Sequence, residues 1–248
     1  MIELLPPELG ALTGLALLGI SFLGSFITAA FGIGGGVVVL AVFASLLSPA
    51  ALIPVHGVIQ LGSNAGRTLI MREHISTAVF VPFAIGALIG VVLGGLIAVD
   101  LPPAAVQICV GCFILWTIVA KPPAFLRRAA WIAGSVSTFL TMFFGATGPF
   151  VAAYVKSHGF ERMVHVGTHA ACMTLQHGLK VVAFGILGFA FGPYIPLIAG
   201  MIAFGFAGTV VGRKVLMKID EKRFKQVLNG ILILLSLRLI WAGASTYL

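Results

Sequence analysis

The features that decide the fold lie in one stretch, FGIGGGVVVLAVFASLLSPAALIPVHGVIQLGSNAGRTLIMREHI (31–75). Its glycine cluster (31–36) is followed by an apolar run, 36–48, that is too short to cross a bilayer core of about 30 Å, which takes roughly 20 residues of helix. The next run, 51–71, is long enough to cross but carries several polar residues. A short helix beside a glycine break is tolerated at membrane depth only where protein or water shields the open backbone. The stretch therefore predicts a broken or re-entrant helix next to a polar membrane-crossing helix.

The composition of the whole chain is typical of a membrane protein. Of its 248 residues, 60% are hydrophobic and 9% are charged, whereas soluble domains carry roughly 25% charged residues. A soluble domain of this size must cover its outside with polar atoms, so soluble enzymes, nucleic-acid binders and disordered proteins are excluded as main interpretations. The formal net charge of +8 is explained by the basic cytoplasmic loops of membrane proteins. We therefore expect the lipid bilayer as a partner and no nucleic acid.

Ten apolar segments follow one another along the chain. Eight have about the length of a crossing: 9–31, 51–71, 77–99, 103–120, 129–147, 163–183, 193–212 and 224–247. The other two, 36–48 and 148–156, are short, and each follows a glycine-rich break; the second break is FGATGP (144–149). The predicted fold class is an all-α polytopic membrane protein in which the two short segments are broken or re-entrant helices.

Four loops collect Lys and Arg and indicate the orientation. They lie at 72–74, 121–128, 156–162 and 213–225. The positive-inside rule places such loops in the cytoplasm. When each of the ten segments is counted as a crossing, all four loops fall on one side of the membrane. We expect a multi-pass protein of the cell inner membrane with its basic loops in the cytoplasm and both termini outside.

The two halves of the chain align on each other at one constant spacing. The matched features are the two glycine breaks, a histidine pair and a cation pair: His56 with His169, and Arg67 with Lys180. The basic loops fall at different positions in the two halves, as an odd number of crossings per half would produce. Inverted repeats with broken helices recur in transporters, which bind their substrate between the halves. We predict two inverted repeats of about five segments each, 1–120 and 121–248, in one integrated membrane domain.

Two of the long segments each carry a stripe of polar side chains. At about 100° per residue of helix, the polar residues of 51–71 fall on one narrow face: His56, Gln60, Asn64 and Arg67. Those of 163–183 fall on a similar face, with His177 at its flank: His165, His169, Gln176 and Lys180. Polar groups at membrane depth normally face a partner or a watery path, so we expect these stripes to face each other or a cavity.

Arg67 and Lys180 have no carboxylate partner at membrane depth, because every Asp and Glu of the chain lies in a loop or at the end of a segment. An unpaired cation there costs a few kcal/mol even on the lenient insertion scale. We therefore hypothesise that the two cations hold a small anion between the repeats. Two alternatives stay open: the cations snorkel to the lipid headgroups, and the amides and histidines only join helices.

The glycine breaks add a second set of anion-binding groups. Helix N-termini carry a partial positive charge and unpaired backbone N–H groups, and glycine leaves those groups accessible. The predicted substrate-binding residues are Arg67, Lys180, Asn64, Gln60, Gln176, His56, His169, His177, Gly34, Gly35, Gly36, Thr147 and Gly148.

Catalytic and metal chemistry is less well supported. The chain contains no G-x-S-x-G, H-E-x-x-H or Walker pattern, so protease and ATPase interpretations lack their chemistry. Cys109 and Cys112 form a C-x-x-C inside an apolar helix, where small packing residues are the simpler explanation. The alternative function uses histidine: His165 and His169, spaced i and i+4, are able to hold a metal, or with His56 and His177 a haem. We expect no enzyme activity, no cofactor and no metal.

The stretch 31–75 resembles the N-terminal signature of the sulfite exporter TauE/SafE family, and FGATGPF (144–150) resembles the degenerate second copy of that signature. The resemblance covers essentially the whole chain. It implies a bacterial inner-membrane secondary transporter that exports sulfite or an organosulfonate such as sulfoacetate. The motif positions of the family that carry over are Gly32, Gly34, Gly35, Gly36, Asn64 and Arg67.

The chain departs from the family pattern in its extra histidines, which leave the carried anion open. Family members are usually described with eight crossings, whereas the count of ten here includes the two short segments. Export of an anion is driven by about 2.3 kcal/mol per charge per 100 mV of inside-negative potential, so a uniporter suffices. His56, His169 and His177 are candidates for a coupled proton, because histidine titrates near neutral pH. The sequence leaves open a homodimer.

Overall fold

The computed structural model describes residues 9–31, 34–98, 102–119, 129–145, 147–215 and 221–247. Within these ranges the chain forms ten α-helices and no β-strand. The helices are α1 (Ala11–Phe31), α2 (Gly35–Leu46), α3 (Pro49–Ile70), α4 (Thr77–Ala98), α5 (Pro103–Val119), α6 (Ala130–Phe144), α7 (Gly148–Lys156), α8 (Arg162–Ile186), α9 (Ile195–Val215) and α10 (Glu221–Ala244). Short 3-10 turns precede α4 (Arg72–His74) and α9 (Gly192–Tyr194).

Each of the ten predicted segments coincides with one helix, so the all-α prediction is confirmed for the described residues. The two segments after the glycine breaks are short, at 12 residues for α2 and 9 for α7. Among the described residues, three stretches are long and apolar enough to cross a membrane: Ala11–Ala29, Thr77–Ile97 and Gly192–Gly212. Whether α2 and α7 re-enter the bilayer stays a prediction.

Glycines in the left-handed region of backbone space break the chain at both short helices. Gly34, which precedes α2, has a φ of 103°, and Gly145, which follows α6, has a φ of 78°. Residues with a Cβ adopt this conformation at a cost of roughly 1–2 kcal/mol. Gly35 adds a close approach, because a Cβ there would overlap the carbonyl oxygen of Gly24 on α1. The glycines of the two signatures therefore set the direction of the chain as well as its packing.

The helices pair across the two halves of the chain. Helix α1 packs along α9, α4 along α6, α3 along α8 and α5 along α10. The backbones approach closely at glycines: a Cβ on Gly86 of α4 would overlap the carbonyl of Trp131, and a Cβ on Gly208 of α9 would overlap that of Phe22. Each of these pairs joins one helix from 1–120 to one from 121–248. The inversion of the two halves stays a prediction.

Large apolar side chains are exposed on the outer helices, α4 above all. Val81, Ile85, Leu88, Val92 and Leu96 of α4 are 52%, 56%, 53%, 61% and 72% exposed. Soluble proteins rarely expose apolar faces of this extent, and such faces mark contact with lipid or protein. The central pair α3 and α8 instead carries the polar stripes, and most of their polar side chains are buried or half-buried.

Helices α3 and α8 run antiparallel. The Cβ position of Gly57 faces Lys180, that of Gly178 faces Leu61, and the Thr68 hydroxyl lies 2.8 Å from that of Thr174. Residue numbers therefore rise on α3 as they fall on α8. The two polar stripes therefore lie side by side and run in opposite directions. This antiparallel order determines which residues of one stripe lie next to which residues of the other.

Candidate functional site

A cavity of about 410 Å³, counting its open mouth, lies between the two short helices and the central pair. We call it the central cavity. The described residues that line it are Thr28, Gly34, Gly36, Val37, Gln60, Asn64, Arg67, Gly148, Pro149, His169, Met173 and His177. Both glycine breaks and both polar stripes contribute to its wall, as the sequence predicted for most of these positions.

Arg67 is held along its own helix. Its Nε donates a hydrogen bond to the carbonyl of Ser63 at 3.4 Å, and its guanidinium NH2 donates to Oδ1 of Asn64 at 3.0 Å. The Nδ2 of Asn64 in turn donates to the carbonyl of Gln60 at 2.8 Å. A guanidinium has five N–H donors, so these two bonds leave others for a ligand. Asn64 thus fixes the guanidinium at the cavity wall.

No carboxylate in the described part of the chain neutralises this cation. The Asp and Glu side chains described there are Glu73 and Glu161, and both are exposed. Arg67 itself is half-buried and borders the central cavity. It also borders a second hollow of about 480 Å³ between α1, α3 and α9. The guanidinium therefore faces two interior spaces.

The paired histidines fasten the short helices to the long polar ones. His56 Nε2 donates to the carbonyl of Gly36 at 3.1 Å, and His169 Nε2 donates to the carbonyl of Gly148 at 3.2 Å. Each bond joins the first turn of a short helix to α3 or α8. For these two residues the structure gives the helix-joining role that the sequence left open, although His169 also lines the central cavity.

The N-termini of α2 and α7 open at the central cavity. Neither Gly34 nor Thr147 caps its helix with a side-chain hydrogen bond, so first-turn N–H groups of both helices keep their positive character. The two ends differ in one respect: α7 has Pro149 in its first turn, and proline lacks an N–H. In α2 the N–H of Val37 donates to the carbonyl of Gly34 at 3.1 Å, so each helix end lacks one of its first-turn donors.

Gln176 and Thr147 are used inside the protein. Both are fully buried, and Nε2 of Gln176 donates to the carbonyl of Ser137 at 2.6 Å and to the hydroxyl of Thr147 at 2.7 Å. They join α6, α7 and α8 behind the cavity wall. Gly35 is likewise buried against α1. These three predicted residues support the cavity, and none is among its described lining.

Lys180 lies away from Arg67. It is fully buried, it is not among the described residues that line the central cavity, and its Nζ donates to the carbonyl of Gly145 at 3.5 Å. Because α3 and α8 are antiparallel, Arg67 interacts electrostatically with His169, which precedes Lys180 by three helical turns, or roughly 16 Å. The structure therefore does not bring the two cations to one cavity.

Metal binding is not favoured by the arrangement of histidines and cysteines. Among the described residues, no group of three or more His, Cys, Asp or Glu side chains is placed to hold a metal ion. His165 stacks on His169 with ring centroids 6.4 Å apart, while the described cysteines Cys109, Cys112 and Cys172 are free. The metal or haem alternative therefore lacks a built site in this part of the chain.

Sequence reasoning missed four residues of the cavity wall, Thr28, Val37, Pro149 and Met173. The internal alignment held a signal for two of them, since Met173 occupies the position that corresponds to Gln60 and Pro149 the position that corresponds to Gly36. The second hollow was also missed. Its small hydroxyl-bearing residues, among them Ser21, Ser25 and Thr209, meet only because α1 packs along α9.

The chain matches a known protein family over most of its length. The family described as Sulfite exporter TauE/SafE matches residues 17–239, which include the central cavity and part or all of every helix. No curated protein sequence and no solved structure matches the chain. The family that the stretches 31–75 and 144–150 resemble is thereby confirmed.

Proposed function

The chain belongs to the sulfite exporter TauE/SafE family, and on that premise we propose that it exports a small sulfur-containing anion, sulfite or an organosulfonate such as sulfoacetate, across the bacterial inner membrane. Membership of this family implies a membrane transporter for an anion. The choice of anion, the binding site and the direction are our proposal.

The observation that carries the proposal is the guanidinium of Arg67 at the wall of the central cavity, which has no carboxylate partner among the described residues. A sulfonate or sulfite group presents several oxygens, and arginine binds such groups through two parallel hydrogen bonds. The first turns of α2 and α7 open into the same space and add partial positive charge. A cation, two helix ends and a cavity between them are the components of an anion site, and no described carboxylate competes for them.

Gln60 is the second proposed ligand. Its amide nitrogen lies so close to Gly36 that a Cβ there would overlap it, and both residues line the central cavity. The amide is thus positioned beside the first turn of α2, where it is able to orient an anion by hydrogen bonding. Asn64 acts through Arg67, which it holds in place.

The central cavity lies toward the end of the molecule that we propose is cytoplasmic. The turn at 72–74 follows α3 and contacts α8, where Ser76 N donates to the Thr168 hydroxyl at 2.9 Å. Exposed Arg72 and Lys156 therefore lie at the same end of the central pair, as cytoplasmic basic side chains would. Arg67 lies within one turn of that end of α3, so the cavity is suited to load an anion for export. The basic loop residues 121–128 and 216–220 lie outside the described residues.

The inverted repeat belongs to the same proposal. Three observations support two interlocked halves, 1–120 and 121–248. They are the matching histidine hydrogen bonds to α2 and α7, the left-handed glycines at both breaks, and the pairing of α1 with α9 and of α4 with α6. In such transporters one half rocks against the other around a fixed substrate site. An inside-negative potential then drives a monovalent anion outward by about 2.3 kcal/mol per 100 mV.

A flux screen tests the proposal. Purified protein is reconstituted in vesicles loaded with sulfite, sulfoacetate, thiosulfate, sulfate or acetate, and efflux is followed with an inside-negative potential. We expect saturable efflux of at least one sulfur anion and none of acetate above protein-free vesicles. Failure of every sulfur anion to move, together with no anion-dependent thermal shift, would refute transport and favour a membrane scaffold.

A further inference from the structure

A cluster of three buried bases lies beyond the central cavity. It consists of Lys180 and His177 on α8 and His56 on α3, which are 0%, 1% and 0% exposed; we call it the base cluster. The rings of His56 and His177 are 6.1 Å apart and meet edge to face. Lys180 interacts electrostatically with both histidines. The three side chains therefore share one small interior region.

The base cluster has unused capacity for protons. Nδ1 of His56 and both ring nitrogens of His177 have no hydrogen-bond partner in the described part of the chain. Lys180 is a third base of the cluster when its amine is neutral, because Nζ then has a lone pair, and its hydrogen bond to the carbonyl of Gly145 is long, at 3.5 Å. Buried polar groups in proteins are normally hydrogen-bonded, whereas these ring nitrogens are free to accept a proton.

No described acid faces the base cluster. Helices α2, α4 and α6, which pack against α3 or α8, carry no titratable side chain, and α5 contributes only the thiols Cys109 and Cys112. The other titratable side chains described on neighbouring elements are Arg72, Glu73 and His74 after α3, with Tyr154 and Lys156 on α7. On α3 and α8 themselves, Arg67, His165 and His169 lie toward the central cavity, while Cys172 packs among apolar residues.

The packing around Lys180 is too close for an anion. A Cβ on Gly57 would lie 2.7 Å from Cε of Lys180, and one on Gly145 would lie 2.9 Å from Leu40 and 3.3 Å from Nδ1 of His56. Lys180 lines neither of the two hollows described above. A proton needs no such room, so it is the ligand that fits this region.

We propose that the base cluster binds one proton and that this binding is linked to the anion through His177, which lines the central cavity and contacts His56. The inference rests on the proposed anion site at Arg67. A proton from water in the cavity adds to a nitrogen lone pair of the cluster when the anion enters, since the anion stabilises the new positive charge. Release of the anion on the other side returns the proton to water there. A dianion thus crosses with one net negative charge, which the membrane potential still drives outward.

Proton uptake on anion binding tests the inference. Sulfoacetate, which has no group that titrates near pH 7, is added to detergent-solubilised protein in weakly buffered solution, and phenol red reports the protons taken up. We expect about half to one proton per anion bound. Lys180→Met and His177→Gln should each reduce this to less than about a fifth of the wild-type value. Each variant is measured at a saturating sulfoacetate concentration, because His177 lines the central cavity and its loss also weakens anion binding. His158→Gln, at an exposed loop histidine, should leave the uptake unchanged.

The outcomes separate the two proposals. Uptake that persists in both cluster variants overturns the proton site. Loss of sulfoacetate binding in correctly folded Lys180→Met protein also overturns it, because Lys180 would then be an anion ligand. If either variant does not fold, the other decides. Saturable efflux of sulfoacetate without proton uptake by the wild type refutes only the linkage, whereas absence of binding and flux for every sulfur anion refutes the proposed function.

Discussion

Substitution of Arg67 by glutamine is the most informative single change. It removes the unpaired charge at the wall of the central cavity and keeps a polar side chain. A charge-assisted hydrogen bond contributes about 1.5–3 kcal/mol, so loss of a single bond to the anion lowers affinity by about tenfold at the least and by roughly a hundredfold at the upper value. If the guanidinium makes two parallel hydrogen bonds to the anion, loss of both lowers the affinity further.

The same substitution affects stability little. Asn64 loses the hydrogen bond from Arg67 at 3.0 Å, which costs about 1–3 kcal/mol if its oxygen finds no other partner. Against this, the free protein no longer holds a cation that lacks a carboxylate partner in the described part of the chain, and its removal offsets part of this cost. We therefore expect loss of transport with an unfolding temperature in detergent close to that of the wild type.

The assay is efflux of the anion that the flux screen identifies, with initial rates measured over a range of internal concentrations. Arg67→Gln should raise the half-saturating concentration by at least about tenfold. Arg67→Lys should give an intermediate value, because lysine keeps the charge but not the planar fork. The matched control is Arg72→Gln: Arg72 is exposed in the turn after the same helix and should retain wild-type kinetics. Unchanged affinity and rate in Arg67→Gln would remove Arg67 from the site.

The other predictions concern the packing that supports the site, each measured by thermal unfolding in detergent. Gly145→Ala should lower the free energy of unfolding by more than the roughly 1–2 kcal/mol of left-handed backbone strain, because the new Cβ also meets Leu40. The control Gly159→Ala, with a φ of 68° but open space around it, should lose only the strain energy. Equal losses in the two variants would show that the contact with Leu40 contributes nothing. Gly86→Ala should lower the free energy of unfolding by about 1–3 kcal/mol, because the new Cβ pushes α4 away from α6. Gly19→Ala, which meets nothing within 4 Å, should instead stabilise α1 slightly. Unchanged stability of Gly86→Ala would mean that the backbones of α4 and α6 do not touch. His169→Phe should cost about 0.5–1.5 kcal/mol, since the Gly148 carbonyl loses one of its hydrogen bonds. An unchanged unfolding temperature would show that this hydrogen bond does not stabilise the protein.

The sequence allowed much of the architecture to be predicted, because hydropathy and glycine breaks act locally. All ten segments, including short α2 and α7, were anticipated within a few residues. The helical period also placed Gln60, Asn64 and Arg67 on one face, and the structure puts all three on the cavity wall.

The sequence did not allow us to predict which residues of two neighbouring helices lie at the same level. A helical stripe gives the angle of a side chain around the axis but not the level at which the neighbouring helix meets it. The antiparallel packing of α3 and α8 sets that level, and it separates Lys180 from Arg67. Gln176 illustrates a second limit: its amide is occupied by Ser137 and Thr147, and competition between internal partners depends on distances that appear only in three dimensions.

The pairing of α1 with α9 and of α4 with α6 has a consequence for biogenesis. When the ribosome has completed only the first five helices, the small-residue faces of α1 and α4 still await helices that have not been synthesised. The first half must therefore remain incompletely packed, with these faces covered by lipid or by the insertion machinery, until α6 and α9 are inserted. For the same reason, two separately translated halves should be recovered together after co-expression and be degraded when either is made alone.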